Sequence, residues 1–525
     1  MPKTTPNPPK PSFFLTTPIY YVNSVPHLGT AYTTIAADAL ARYRRLLGDD
    51  VFFLTGLDEH GQKVEQAAAE HGIEPQEWCD NLAEKFLGAW ELLGITNDDF
   101  IRTTEPRHVR AVQTLAKTLY DQGDIYKGLY DGWYCVPDET YWTEEQLEGG
   151  KCPQCGRDVE LVREENYFFR LSAYQDRLLG YFEENPDFIG PPSRRNEVLS
   201  FVRGGLRDLS ISRANVKWGI PLPWDASHTV YVWFDALINY VTAVGYGDPD
   251  DAGEFAHRWP AHIHFVGKDI IRFHCVIWPA LLMAAGLDLP QRVFAHGFLL
   301  AKGEKMSKSK GNAVAPADLV RQFGVDAYRY YFLRDVSFGQ DGSISIESMV
   351  QRYNGDLAND WGNLCSRLFN MVGKYFDGAV PDPEGGAVDA ADGVLAAVAR
   401  DLPGRYDEAM ARLDYGAALE SAWDLVKATN RYIEDSAPWN LAKSPETTPR
   451  LKAVIYNALE AVRIAALFIA PVMPQTSAEV WRRLGLGDIN AVTTLAEESR
   501  WGGTRPGSRV EKGDPLFPRI EKDAV

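Results

Sequence analysis

Two periods of apolar and polar residues alternate along the first part of the chain. Residues 13–22 form an apolar, aromatic run suited to a buried strand. From residue 28 the period changes: Leu28, Tyr32, Ile35, Ala39 and Tyr43 share one helical face, and Gly48 is placed to stop the helix. Residues 51–57 read as a second strand, 62–70 as a helix ending by Gly72, and 75–94 and 105–123 as amphipathic helices. Strand and helix in alternation predict a parallel α/β sheet with crossover helices.

Around Ile125 the texture changes. Residues up to about Leu161 are turn-rich and hold three of the six cysteines, and helical or irregular sequence continues to about Trp224. The apolar run 229–234 then predicts a strand that resumes the sheet, so 125–228 reads as an insertion. From Arg352 the pattern is helical with few strand candidates, which predicts a bundle to about Leu484 and a looser tail, 485–525. No internal repeat is present.

Composition changes this picture little. The chain has 525 residues, 45% hydrophobic and 24% charged, an ordinary globular balance with ample core. The net charge of −18 disfavours non-specific nucleic-acid binding but leaves a local basic stripe free to hold phosphate. Six cysteines are too few for a disulfide framework. The proline-rich arm 1–12 lacks the apolar core of a signal peptide, and the charge-free stretch 273–287 is shorter than the roughly 20 residues that span a bilayer. A cytoplasmic protein without a membrane partner is the expectation.

Three segments carry candidate chemistry. The turn His27-Leu28-Gly29-Thr30 joins the first strand to the first helix. A helix N-terminus suits an anion, His27 can donate to a phosphate oxygen, and Gly29 would let a flat base approach the backbone; an ordinary capped turn reads the same way. Lys305-Met306-Ser307-Lys308-Ser309 lies between Gly303 and Gly311. Two lysines among small residues make a loop able to hold a leaving polyphosphate, as against a merely solvated basic loop. Cys135 and Asp138, then Cys152 and Cys155, have the spacing of a zinc knuckle with one cysteine replaced by aspartate. Aspartate can ligate zinc through oxygen, so the segment is either a structural site of three cysteines and one carboxylate or a relic loop without metal.

The turn at His27 resembles the His-Ile-Gly-His signature of class I aminoacyl-tRNA synthetases, and residues 305–309 match their Lys-Met-Ser-Lys-Ser signature in full. Segments 55–61, 231–236 and 267–270 resemble those of the methionyl-tRNA synthetases, over most of the chain. The resemblance implies a Rossmann-like parallel-sheet catalytic domain in two halves (13–124 and 229–300) around the connective insertion. A lysine-loop and stem-contact region (301–351) and a helical anticodon-binding domain (352–484) would follow. It implies activation of methionine by ATP with Mg²⁺ and transfer to tRNA(Met), initiator included. His27, Lys305 and Lys308 would be catalytic. His27, Gly29, Thr30, Gly267, Asp269 and Lys308 would hold ATP. Asp58 would pair with the substrate's ammonium, and Ile19, Tyr21, Trp233, Ala236, Leu237, Tyr240, Ile270, His274 and Trp278 would line the methionine slot. Asn359, Asn363, Arg367, Pro438 and Trp439 would read the anticodon. Thr30 departs from the family's second signature histidine; it keeps a hydroxyl but cannot carry charge.

Core packing competes with substrate contact at Trp278 and His274, and bundle packing competes at Trp439. Rival readings are another class I synthetase, an ATP nucleotidyltransferase acting without tRNA, and a non-catalytic tRNA-binding relative. The insertion of about a hundred residues is small for an editing domain, the helical half disfavours a tRNA-independent enzyme, and Thr30 is the main support for the non-catalytic reading. A monomer is expected.

Overall fold

The computed structural model describes residues 10–153, 155–301, 304–305, 315–384 and 389–521. Six parallel strands make the central sheet: β1 (Ser12–Tyr21), β2 (Asp50–Asp58), β3 (Asp99–Arg102), β4 (Ile189–Gly190), β5 (Ile263–Gly267) and β6 (Val293–His296). Their spatial order is β3-β2-β1-β5-β6-β4. Helix α1 (Leu28–Leu47) crosses from β1 to β2, and Gly48 closes it in a left-handed cap, as its pattern predicts.

Strand order reverses between β1 and β5, and such a reversal opens a crevice at the strands' carboxyl ends. Here β1 pairs with β5 only at Leu15 and Thr16, and its register against β2 slips between Thr16 and Ile19. Pro18 lies in that slip, where a missing N–H costs no ladder bond. Beyond Thr16 the two central strands therefore separate.

The insertion differs from the expectation. Instead of turns, Ile125–Cys135 and Glu160–Phe169 form a long antiparallel ladder, extended by Thr140–Trp142 and Leu209–Ser210. Gly128 and Gly132 interrupt the alternation that would have marked the first strand; aromatic rings of Phe168 and Tyr130 lie over them instead. Residues 189–190, within the segment read as insertion, return as the edge strand β4. The strand expected at 229–234 is displaced: Asp225–Val230 belongs to a small antiparallel sheet, and Val232–Leu237 is a helix. A short apolar run fits a buried strand and a buried helix turn equally well.

Strand Leu299–Ala301 pairs with Glu304–Lys305 and with Gly342–Ile344, so Lys305 ends a hairpin arm beyond β6. Lys308 lies outside the described residues. Helices Ala390–Ala411, Tyr415–Ser436 and Thr448–Ile469 form the core of the bundle. Fully buried Arg329 joins it to the sheet domain, donating to Asp38 of α1 (2.6 Å) and to the carbonyls of Leu93 (3.2 Å), Pro471 (3.0 Å) and Val472 (2.8 Å). The tail is bound rather than loose. Backbone N–H groups of Gly502, Gly503 and Thr504 donate to the buried Glu460 carboxylate at 2.7–2.9 Å, and Asn354 pairs both ways with the backbone of Ile520. Ile489, Leu495, Val510 and Phe517 of the tail join the buried core, and backbone bonds, which leave no period in the sequence, complete the docking. No helix among the described residues is long and apolar enough to cross a membrane.

Candidate active site

A cleft of about 650 Å³ occupies the crevice between β1 and β5. The end of β1, the first turn of α1, the end of β5 and the helix Val232–Leu237 all line it. Of the residues assigned above to ATP and methionine, His27, Gly29, Thr30, Asp58, Gly267, Asp269, Ile19, Tyr21, Trp233, Ala236, Leu237, Tyr240, Ile270 and His274 line this one cleft.

Trp278 does not line it. Its indole is fully buried behind Tyr240, with ring centroids 5.9 Å apart, and donates to Nε2 of His264 at 3.3 Å. It is core packing that supports the wall.

His27 is the N-cap of α1. Its Nδ1 accepts from the backbone N–H of Gly29 (3.0 Å) and Thr30 (3.3 Å), so in the neutral ring the proton sits on Nε2. The backbone donors expected to await a phosphate are thus engaged by the histidine itself. Thr30 completes a reciprocal box: its hydroxyl accepts from His27 N–H (3.0 Å) and donates to the His27 carbonyl (2.8 Å). Its single proton is directed at the backbone, where threonine at the third helical position naturally reaches. A Cβ at Gly29 would come within 3.0 Å of the His27 ring, so glycine leaves room for this cap. Across the cleft, a Cβ at Gly267 would sit 2.4 Å from Oδ1 of Asp269, so a side chain there would push this carboxylate from its place over the glycine.

Asp58 ends β2, buried. Burial, then the charges of Asp235 and Glu139, push its carboxyl well above the usual range, and its Oδ1 has no hydrogen-bond partner among the described residues. An unpartnered buried carboxylate oxygen facing a cleft calls for a cationic donor. Nearby Asn239, also buried and lining the cleft, has an unpartnered Oδ1 while its amide donates to the Ala236 carbonyl at 2.6 Å.

The apolar end of the cleft is aromatic. Trp233 stacks on Phe273 with centroids 3.9 Å apart. His274 lies on a π-helical turn, Phe273–Ile277. Its Nδ1 donates to the Ile270 carbonyl (3.0 Å), so its Nε2 accepts from the Tyr240 hydroxyl (2.7 Å). Burial lowers the ring to about 4 and keeps it neutral. Both nitrogens are satisfied, so the ring offers the slot a polarizable edge rather than a free donor.

Sequence reasoning singled out neither Glu139, Asn239 nor His108, and gave His60, within the segment 55–61, no role of its own. Glu139 comes from the insertion, accepts from the Tyr21 hydroxyl (2.9 Å) and from Lys63 N–H (3.1 Å), and is raised by burial to about 7. Its position beside Asp138 was the available signal. His108, on a distant helix, carried none.

The knuckle is assembled. One donor atom each from Cys135, Asp138, Cys152 and Cys155 lies within 4.8 Å of all the others. Cys135 and Cys155 sulfurs are 3.6 Å apart, and Asp138 Oδ2 is 3.2 Å from the Cys152 sulfur. Tetrahedral zinc with bonds near 2.3 Å holds sulfurs about 3.8 Å apart, so these residues fit the ion.

In the helical domain Asn359 and Asn363 are exposed. Arg367, one turn beyond Asn363, pairs with Glu434 and donates to Asn430 at 3.3 Å. Pro438 is buried and begins the short helix Pro438–Leu441, which presents Trp439 at 38% exposure. The two segments meet where Arg367 bridges to the end of helix Tyr415–Ser436.

The family described as tRNA synthetases class I (M) matches residues 13–161 and 157–369, and the anticodon binding domain of methionyl tRNA ligase matches 382–525. The methionine–tRNA ligases of Caldanaerobacter subterraneus and Thermotoga maritima are both 51% identical, over 98% and 97% of this chain and 79% and 80% of their own lengths. A solved structure of Mycobacterium tuberculosis methionyl-tRNA synthetase in complex with methionyl-adenylate superposes with a TM-score of 0.93 at 46% identity, covering 97% of this chain and 100% of that one. On this evidence of sequence and fold, the chain belongs to the methionyl-tRNA synthetase family of class I aminoacyl-tRNA synthetases.

Proposed function

We propose that this chain joins L-methionine to tRNA(Met), initiator included, through a methionyl-adenylate formed in the cleft between β1 and β5. The observation that carries the assignment is the unpartnered Oδ1 of Asp58, which faces the same cleft as the His27 turn and the Gly267–Asp269 pair. Asp58 takes the ammonium, and the wall of Trp233, Tyr240 and His274 takes the thioether, a polarizable group against polarizable rings. Asp269 accepts from the ribose hydroxyls. The methionine carboxylate attacks the α-phosphorus of ATP and pyrophosphate leaves. Neither partner needs a strong base, so the protein's contribution is to align two anions and spread the developing charge. His27 donates from Nε2, Lys305 and Lys308 meet the leaving group, and Mg²⁺ accompanies the phosphates. A terminal ribose hydroxyl of tRNA then attacks the adenylate carbonyl and AMP leaves.

Thr30 positions His27 through the capping box, with its hydroxyl turned to the backbone. Pyrophosphate exchange measured across an amino-acid panel tests the whole reading: methionine alone gives strong exchange, and exchange with another amino acid at comparable kcat/KM contradicts it.

Cys135, Asp138, Cys152 and Cys155 would hold one structural zinc, which would cross-link the insertion. Metal analysis of the purified protein gives one zinc per chain, and Cys152→Ala with Cys155→Ala removes it and lowers Tm. Zinc-free wild-type protein of normal Tm contradicts this.

Trp439 stacks on an anticodon base, with Asn359, Asn363 and Arg367 reading base edges and Pro438 setting the indole's exit. Stacking contributes about 1–3 kcal/mol per base, so Trp439→Ala lowers charging kcat/KM by about 10- to 100-fold and leaves pyrophosphate exchange unchanged. Equal loss in both assays removes Trp439 from anticodon reading. The enzyme acts in the cytoplasm as a monomer.

A further inference from the structure

The cleft is supported from behind by a buried carboxylate held between two histidines. Asp235 is completely buried; His60 Nδ1 lies 2.6 Å from its Oδ2 and His108 Nε2 lies 2.6 Å from its Oδ1. Each oxygen thus has one N–H donor, and the three residues come from three separate elements. His60 follows β2, two positions after Asp58. Asp235 lies on the short helix Val232–Leu237, between Trp233 and the pair Ala236 and Leu237, which all line the cleft. His108 belongs to the helix Pro106–Gln122, is fully buried, and does not line the cleft. Its other nitrogen, Nδ1, is 3.2 Å from the Thr242 hydroxyl, which itself donates to the Ile238 carbonyl at 2.9 Å. The ring therefore has a polar neighbour at each nitrogen, with the short contact at Nε2.

We propose that His108 is a positioning residue for methionine: acting through Asp235, it locks the ammonium-binding end of β2 to the helix that carries the side-chain slot. Neither His60 nor Asp235 can hold this geometry alone. Without His108 one buried carboxylate oxygen has no donor, and such a group either takes up a proton or swings toward another partner. A swing moves Trp233, Ala236 and Leu237 relative to Asp58, and these two walls grip opposite ends of the same amino acid.

Burial works to raise the carboxyl of Asp235, and the two imidazoles overcome it. Among neighbouring charges, Asp235 contributes most to opposing ionisation of Asp58, ahead of Glu139 and Glu59. Among the described residues, no hydrogen bond of Gly267, Asp269, Gly29 or Thr30 reaches this trio.

The inference rests on Asp58 and the Trp233 wall being the methionine site, and the test separates the two. His108→Leu, His108→Gln and Asp58→Asn are compared in methionine-dependent pyrophosphate exchange. Leucine removes the donor to Asp235, whereas the glutamine amide can replace the one at Nε2. His108→Leu is expected to raise the methionine KM about tenfold while the ATP KM stays within twofold, and His108→Gln to stay within threefold of wild type on both. Should the leucine variant not fold, His108→Met, unbranched and adaptable, carries the same expectation. Methionine and ATP KM rising together, a glutamine variant as impaired as the leucine one, or an unchanged methionine KM overturns the proposal. If Asp58→Asn also leaves the methionine KM unchanged, the reading of the cleft fails with it; if only Asp58→Asn raises it, the reading stands and the role of His108 falls.

Discussion

Asp58→Asn raises the methionine KM by about 10- to 100-fold in pyrophosphate exchange and leaves the ATP KM near wild type. The asparagine is nearly isosteric, so the loss reports charge rather than shape. A hydrogen bond to a charged group is worth about 1.5–3 kcal/mol, and 1.4 kcal/mol is tenfold. Burial and the neighbouring charges of Asp235 and Glu139 oppose ionisation of this carboxyl, and a bound ammonium offsets them. The pH dependence has a fixed sign. Methionine binds the ionised form of Asp58, whose free-enzyme carboxyl is held above the usual range. Methionine affinity is therefore lost as pH falls, at higher pH than an ordinary aspartate would give, and is regained as pH rises while the ammonium keeps its proton. The asparagine variant loses this dependence. A pH profile of kcat/KM for methionine that is the same in both proteins contradicts the role given to Asp58.

His27 has two functions in this account, and a pair of variants separates them. His27→Ala lowers the exchange kcat by about 100- to 1000-fold, the usual cost of losing one donor to developing negative charge. It also removes the N-cap of α1, a loss of about 1 kcal/mol. His27→Asn keeps an acceptor able to meet the N–H groups of Gly29 and Thr30, so thermal stability recovers. Its amide does not reach where the imidazole Nε2 donates, so the rate stays low. If the asparagine variant recovers both Tm and rate, the histidine serves only as a cap.

Much of this architecture is legible in residue order. The change of period at Leu28 marks α1, and the segments at 27–30, 55–61, 231–236 and 267–270 converge on one cleft because each lies at or near the carboxyl end of a sheet strand or on the adjoining helix. The unread parts have physical reasons. Glycines beneath aromatic rings broke the alternation of the insertion's first strand, so a ladder read as turns. Trp278 shares a helix face with His274, and spacing alone does not say which indole touches a cavity and which packs behind it. Thr30 reads as a weakened phosphate ligand until its hydroxyl is seen turned to the His27 backbone. His108 and Asp235 are 127 positions apart, and only the folded chain brings them to 2.6 Å.

The assignment of the cleft as a whole is tested most directly by a crystal structure of the protein with a non-hydrolysable methionyl-adenylate analogue. The account predicts the analogue's ammonium within hydrogen-bond distance of Asp58 Oδ1, its thioether against Trp233, Tyr240 and His274, and its ribose hydroxyls on Asp269. An analogue bound with its ammonium away from Asp58, or outside the cleft between β1 and β5, contradicts it.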